Sequence, residues 1–256
     1  MAAIALAAVG SAACGFRPSG LADDDPTGDA AGAKDAATDD GATIDPIDGG
    51  ARSALCDPAD DTLRACFTFA GGAVTNGAGT TLSIDATQTT AAAGPVGDAL
   101  GLGPTSVVHI LETPALDFTT ATSFEAFVRL DAAPPTGGRA GIYDDNGEWG
   151  VFVDDRRRPY CTHQIVFGPP LELGTWTHVA CVFDGATVTI YIDGAKFDMV
   201  NRTAPLAVGA DGSNIGQDSR TGGTSGDPLT GAIDELRVWS EARTPDEVAA
   251  AAARAR

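Results

Sequence analysis

The sequence predicts an all-β chain in which one antiparallel sandwich of about 190 residues follows an acidic tail. Three observations carry this reading. Residues 174–185 (GTWTHVACVFDG), 188–194 (VTIYIDG) and 231–239 (GAIDELRVW) are β-strand patterns, and Asp-Gly turn signals close the first two. The 32 Gly and 15 Pro among 256 residues supply the many turns that such a chain needs. Residues 15–55, by contrast, contain almost no large apolar side chain.

In this order the three strings resemble the LamG-like jellyroll domain of the concanavalin A-like lectin/glucanase superfamily. Related domains read W-x-H-V-A-x-x-x-D-G, then a strand ending Y-x-D-G, then G-x-I-D-E-hydrophobic-R. Upstream, residues 63–69 (LRACFTF) are similar to the family's opening strand. Residues 97–100 and 106–110 are similar to its next edge, and 122–129 (TSFEAFVR) to its central strand. With 215–217 (IGQ) and 244–248 (TPDEV) downstream, the likeness spans roughly residues 60 to 250. It implies a two-sheet antiparallel jellyroll that binds or displays rather than catalyses.

At the N-terminus, residues 1–13 are nearly all small and apolar and end GSAA before Cys14. A short apolar region with small residues ahead of a cleavage point reads as a secretory signal. The Cys14 position resembles a bacterial lipobox, which implies cleavage before Cys14 and lipidation of its thiol. An ordinary signal with Cys14 as a chance thiol is the alternative. Residues 14–55 then read as a disordered acidic linker, because so few apolar groups cannot offset the entropy of ordering. The domain proper is expected over 56–256. Eleven Asp against three Lys or Arg between Gly15 and Asp60 give that stretch a charge of −8, leaving −11 of the total −19 elsewhere. Such acidity repels phosphate backbones and excludes nucleic acid as a partner. No apolar run reaches the roughly 18 residues of a membrane-spanning helix, so any membrane attachment is expected through lipid.

Setting Cys14 aside leaves Cys56, Cys66, Cys161 and Cys181, an even set in a chain read as exported. Of three possible pairings the favoured one is Cys56–Cys66, closing a short loop, with Cys161–Cys181 stapling neighbouring strands. The rival, a zinc site, lacks the paired spacing that zinc needs.

Strand faces follow from period two. Val188, Ile190 and Ile192 share one face; Phe124, Ala126, Val128 and Leu130 form another core set, with Glu125 and Arg129 opposite. Residues 179–183 are apolar on both faces, the pattern of a central strand covered on each side. In the last strand, strict alternation places Asp234 with Ala232, Leu236 and Val238. An inward carboxylate needs partners. The superfamily resemblance implies one structural calcium, with Asp234 as its candidate ligand; a hydrogen-bonded structural Asp is the alternative. Residues 244–247 (TPDE) form a capping box with Pro at the first helical position, and a short, weakly docked helix follows.

Catalysis is not expected. The superfamily's glucanases carry Glu-x-Asp-x-x-Glu on one strand face, and none of the seven Glu residues stands in that pattern. The three His residues, at 109, 163 and 178, lie on separate segments, and there is no Gly-x-Ser-x-Gly elbow. Binding residues are expected on loops at the sandwich ends. The best candidate is the turn of Tyr143, Asp144, Asp145, Asn146 and Trp149, which joins acidic groups to two aromatics that can stack on a sugar. A solvated hairpin turn, with the aromatics in the core, is the alternative. The charged tip at 154–160 and the Gly/Ser/Asp-rich loop at 211–227 are further candidates. The expected role is a non-catalytic cell-surface module whose partner is a glycan or an envelope protein.

Overall fold

The computed structural model describes residues 56–255, apart from 203 and 221–223. The signal, Cys14 and the acidic linker lie outside the described residues.

Two antiparallel sheets face each other. In the nine-stranded sheet the order is Ala195–Asn201, Thr187–Ile192, Trp176–Phe183, Thr122–Leu130, Gly231–Trp239, Leu63–Thr68 and Thr75–Asn76. Gly97–Leu102 also pairs with the start of Gly231–Trp239 and carries Thr90–Gly94 on its far side. The seven-stranded sheet runs Val166–Phe167, Pro159–Cys161, Trp149–Asp154, Arg139–Asp145, Ser213–Ile215, Val107–Ile110 and Ile84–Thr87. Neighbours in these sheets are often distant in sequence, as in a jellyroll. The stretch expected as one long loop, 211–227, instead contributes Ser213–Ile215 and a small hairpin, Asp218–Arg220 with Thr224–Gly226.

Alternation explains the core. Phe124, Ala126, Val128 and Leu130 enter it from one strand, Val179, Cys181 and Phe183 from the next, and Val188 and Ile190 from the third. The Asp193-Gly194 turn joining Thr187–Ile192 to Ala195–Asn201 has both residues at positive φ, 50° and 80°, the geometry that matches strand twist. On the outer face of the same sheet, Ala180, Val182 and Tyr191 pack against Val248 of the C-terminal helix Pro245–Ala252. That helix is capped as the sequence predicts, with Thr244 and Glu247 bonded reciprocally. It is not weakly docked: Val248, Ala251 and Ala252 are all buried. Small side chains let the helix approach the sheet closely enough to need only one larger residue.

Both disulfides of the favoured pairing are present. Cys161–Cys181 differs from expectation in one respect. It joins Pro159–Cys161 of one sheet to Trp176–Phe183 of the other, so it staples the two sheets through the core rather than neighbouring strands.

The face of Asp234 is a second correction. Register breaks between Asp234 and Arg237, with Glu235 at φ 51°, so the strand bulges there. Ile233, Leu236 and Val238 face the core, and Asp234 sits opposite Phe127 on the outer face. There the Val96 N–H donates to Oδ2 at 3.0 Å and the Glu235 N–H to Oδ1 at 2.9 Å. Burial, offset in part by the Val96 bond, raises its pKa to about 6. The two donors satisfy the carboxylate as the hydrogen-bonded alternative requires. Among the described residues no three acidic, His or Cys side chains are grouped to hold a metal.

Candidate functional site

The hairpin Arg139–Asp145 and Trp149–Asp154 turns through Asn146, Gly147 and Glu148, with Gly147 at φ 80°. A break in register between Gly141 and Tyr143 sends both Ile142 and Tyr143 into the core. Beyond it, Asp144 pairs across the hairpin with Gly150 and Asp145 with Trp149. Beside this turn lies an open cleft of about 290 Å³. Asp144, Asp145, Asn146, Glu148 and Trp149 line it from the hairpin, and Asp218 and Ser219 from the small hairpin opposite. Gly150 keeps the wall thin: a Cβ there would stand 2.5 Å from Asp144 Oδ1 and 2.7 Å from the Phe152 ring.

The structure thus brings four of the five predicted binding residues to one cleft, and Tyr143 is the correction. Its side chain is fully buried, donates to Ser213 Oγ at 2.9 Å and stacks on Trp149 with centroids 4.8 Å apart. Trp149 is only 2% exposed and is packed on its other sides by His163, Phe118 and Phe124. Neither ring offers a free face, so stacking on a sugar is not what this pair does.

Electrostatics mark the cleft more strongly than its shape. Asp145 is 2% exposed, and burial together with Glu148, Glu112, Asp144 and Asp117 pushes its pKa to about 9. Asp144 rises to about 7 through burial and the Asp218 charge, despite the Ser219 N–H bond and the Arg139 charge. Glu148 also reaches about 7, driven by burial and by Asp117 and Glu112 against a bond from the Gly209 N–H. The nearby cation is already engaged, since Arg139 binds Asp218 at 2.6 Å and Asp227 at 2.9 Å and lies over the Phe152 ring. Two buried polar atoms here lack a hydrogen-bond partner: Glu148 Oε2 and Trp149 Nε1. Glu112, Asp117 and Glu148 were not among the predicted site residues. Glu148 sat inside the predicted turn, while Glu112 and Asp117 are distant in sequence and carry no local signal.

The histidines do not assemble chemistry. His163 is buried beneath Trp149, its pKa lowered to about 3 by burial and Arg202, so it is neutral. His178 is buried on the outer face of the larger sheet, its Nε2 3.5 Å from Glu125, which also pairs with Arg237 at 2.8 Å. The tip at 154–160 is tied to itself: Arg158 forms an ion pair with Asp154 at 2.7 Å and covers Phe167.

Solved structures share this fold. The binding domain of Paraclostridial Mosquitocidal Protein 1 matches with a TM-score of 0.62 at 12% identity, covering 75% of this chain and 52% of that one. Domain 4 of AbnA, a GH43 extracellular arabinanase from Geobacillus stearothermophilus solved with arabinotriose, gives 0.57 at 20% identity over 75% and 98%. The binding domain of botulinum neurotoxin DC, in complex with SialylT, gives 0.59 at 9% identity over 77% and 52%. The chain therefore spans about half the length of the two toxin domains. The first and third are binding domains and the second was solved with arabinotriose, and the likeness at such identities is one of fold. No curated protein sequence matches. The model of the Laminin_G_3 family, of the concanavalin A-like lectin/glucanases superfamily, matches residues 103–249, more than half of the sequence, and the chain belongs to that family.

Proposed function

We propose that this chain is a non-catalytic binding module of an exported protein, and that it recognises glycan in the cleft beside the 144–149 turn. The observation that carries the reading is the open cleft itself, which gathers Asp144, Asp145, Asn146, Glu148, Asp218 and Ser219 and whose carboxyls are strongly perturbed. Carboxyl, amide and hydroxyl groups gathered around one opening can hydrogen-bond a ligand rich in hydroxyls. The two disulfides support export, since they persist in oxidising compartments. No helix among the described residues is long and apolar enough to cross a membrane. Lipidation at Cys14 would supply the anchor at a bacterial cell envelope.

Non-catalysis rests on the carboxyls themselves. None of the seven Glu residues stands in the Glu-x-Asp-x-x-Glu pattern that sets the superfamily's hydrolase pair on one strand face. A glycan array with the purified chain tests the reading, and the sugars that bind are then examined for cleavage. Specific binding without turnover is the expected result. Turnover would replace binding by hydrolysis, and silence across the array would shift the function to adhesion through a protein partner.

A further inference from the structure

We infer that Asn146 is a modification site, converted by spontaneous deamidation, so that the turn bordering the cleft undergoes a slow covalent change. The chain contains two Asn-Gly pairs, Asn76-Gly77 and Asn146-Gly147, which the sequence alone leaves equivalent. The reaction is the same in either. The glycine N–H loses its proton and the nitrogen attacks the asparagine Cγ. The bond from Cγ to the side-chain nitrogen breaks and ammonia leaves, giving a five-membered succinimide. Water then opens the ring at one of its two carbonyls, so one water is consumed and one ammonia released. The product is aspartate, or isoaspartate with the main chain routed through the former side chain. Glycine favours the attack because it has no Cβ to crowd its nitrogen.

The fold separates the two pairs. At Asn76 every reacting group is engaged. Its Oδ1 accepts from the Cys66 N–H at 2.8 Å and the Ala78 N–H at 3.3 Å, and its Nδ2 donates to the Thr80 carbonyl at 2.7 Å. The nucleophile there, the Gly77 N–H, donates to the Cys66 carbonyl at 2.7 Å. A Cβ at Gly77 would stand 2.9 Å from Cβ of Cys56, which the disulfide to Cys66 holds in place. Ring closure at Asn76 therefore has to break these bonds and push against a cross-link. At the other turn Asn146 is half-buried and Gly147 exposed. The Glu148 N–H closes that turn on the Asp145 carbonyl, and the Gly147 N–H has no acceptor among the described residues. A Cβ at Gly147 would meet nothing within 4 Å, which leaves room for the entering water and the departing ammonia. Asn146 makes one side-chain bond, from Nδ2 to Asp211 Oδ2 at 2.9 Å. That bond holds the leaving nitrogen and leaves Oδ1 and Cγ unencumbered. Conversion removes the donor from which Asp211 accepts and sets a carboxylate in its place. As isoaspartate it also lengthens the main chain by one methylene between Asp145 and Glu148, both of which line the cleft.

The test is incubation of the folded full chain at pH 8.5 and 37 °C, sampled over weeks by peptide mass mapping and an isoaspartate assay. Position 146 should gain the mass of an amide-to-acid exchange at least about tenfold faster than position 76, whose hydrogen bonds must first be broken. Isoaspartate should be among the products, and the rate should rise from pH 6 to pH 8.5 as the Gly147 nitrogen gives up its proton more readily. In urea with both disulfides reduced the two positions should convert at comparable rates, which assigns the difference to the fold. Asn146→Gln, which has to close a six-membered ring, should stay unconverted over the same period. The converted fraction of the parent, separated by anion exchange on its extra charge, should melt below the unconverted one at pH 8, because Asp211 then meets a carboxylate. Equal rates in the folded chain, faster conversion at position 76, or an intact position 146 once the unfolded chain has converted would overturn the site. A converted fraction that melts no lower would overturn its effect on the turn.

Discussion

Asp234 and Asp145 show how differently two buried carboxylates can be held. Each is 2% exposed, but Asp234 receives two backbone N–H donors, whereas Asp145 faces four other carboxyls. A carboxylate with both oxygens bonded has no call for a cation. Chelation with EDTA should accordingly leave the melting temperature unchanged; a drop that Asp234→Ala abolishes would give the calcium reading instead. The sequence told which positions carry unusual carboxylates, because an Asp among strand residues is conspicuous. It did not tell their environments. Tyr143 and Trp149 make the same point, since an aromatic beside an acidic turn reads equally as a binding platform or as core, and only packing separates the two.

At the scale of elements, period two located the faces of Thr122–Leu130 and Thr187–Ile192, because regular strands transmit alternation without error, and the two apolar faces of 179–183 marked a strand covered on each side. It failed at Gly231–Trp239, where a bulge inserts one residue and exchanges the faces beyond it. Glu235 holds its positive φ without the glycine that would have announced the bulge. The terminal helix was legible through its cap but not through its docking, since its burial depends on the small residues of a sheet remote in sequence. Val248, buried among Ala180, Val182 and Tyr191, is the residue to remove. Val248→Ala takes away two methyl-sized groups and should lower unfolding stability by about 1.5 kcal/mol, measured by urea denaturation. A loss below about 0.3 kcal/mol would mean the helix is an ornament on the sheet rather than part of its cover.

For the whole molecule, the acidity of the cleft sets how stability depends on pH. In Asp144, Asp145, Glu148 and Asp234 the folded state raises the carboxyl pKa, so the native chain retains protons that the unfolded chain releases above pH 4. Stability must then fall as pH rises from about 4 through 6 to 9, by at most about 1.4 kcal/mol per pH unit for each group still protonated only in the fold. The opposing set is Asp60, Asp154, Asp184 and Glu247, whose pKa values are lowered by hydrogen bonds and, at Asp154 and Glu247, by arginine. Their stabilisation is complete above the ordinary carboxylate range and is lost only in more acidic solution. The two sets together predict a maximum melting temperature near pH 4–6 and a decline towards pH 8. Asp145→Asn should flatten that decline: its advantage over the parent is absent near pH 4 and grows with pH up to about 9, because the folded carboxyl must keep a proton that the unfolded chain releases, and an amide has none to keep. A melting temperature that climbs steadily from pH 5 to pH 8 without ligand would contradict the protonated cleft.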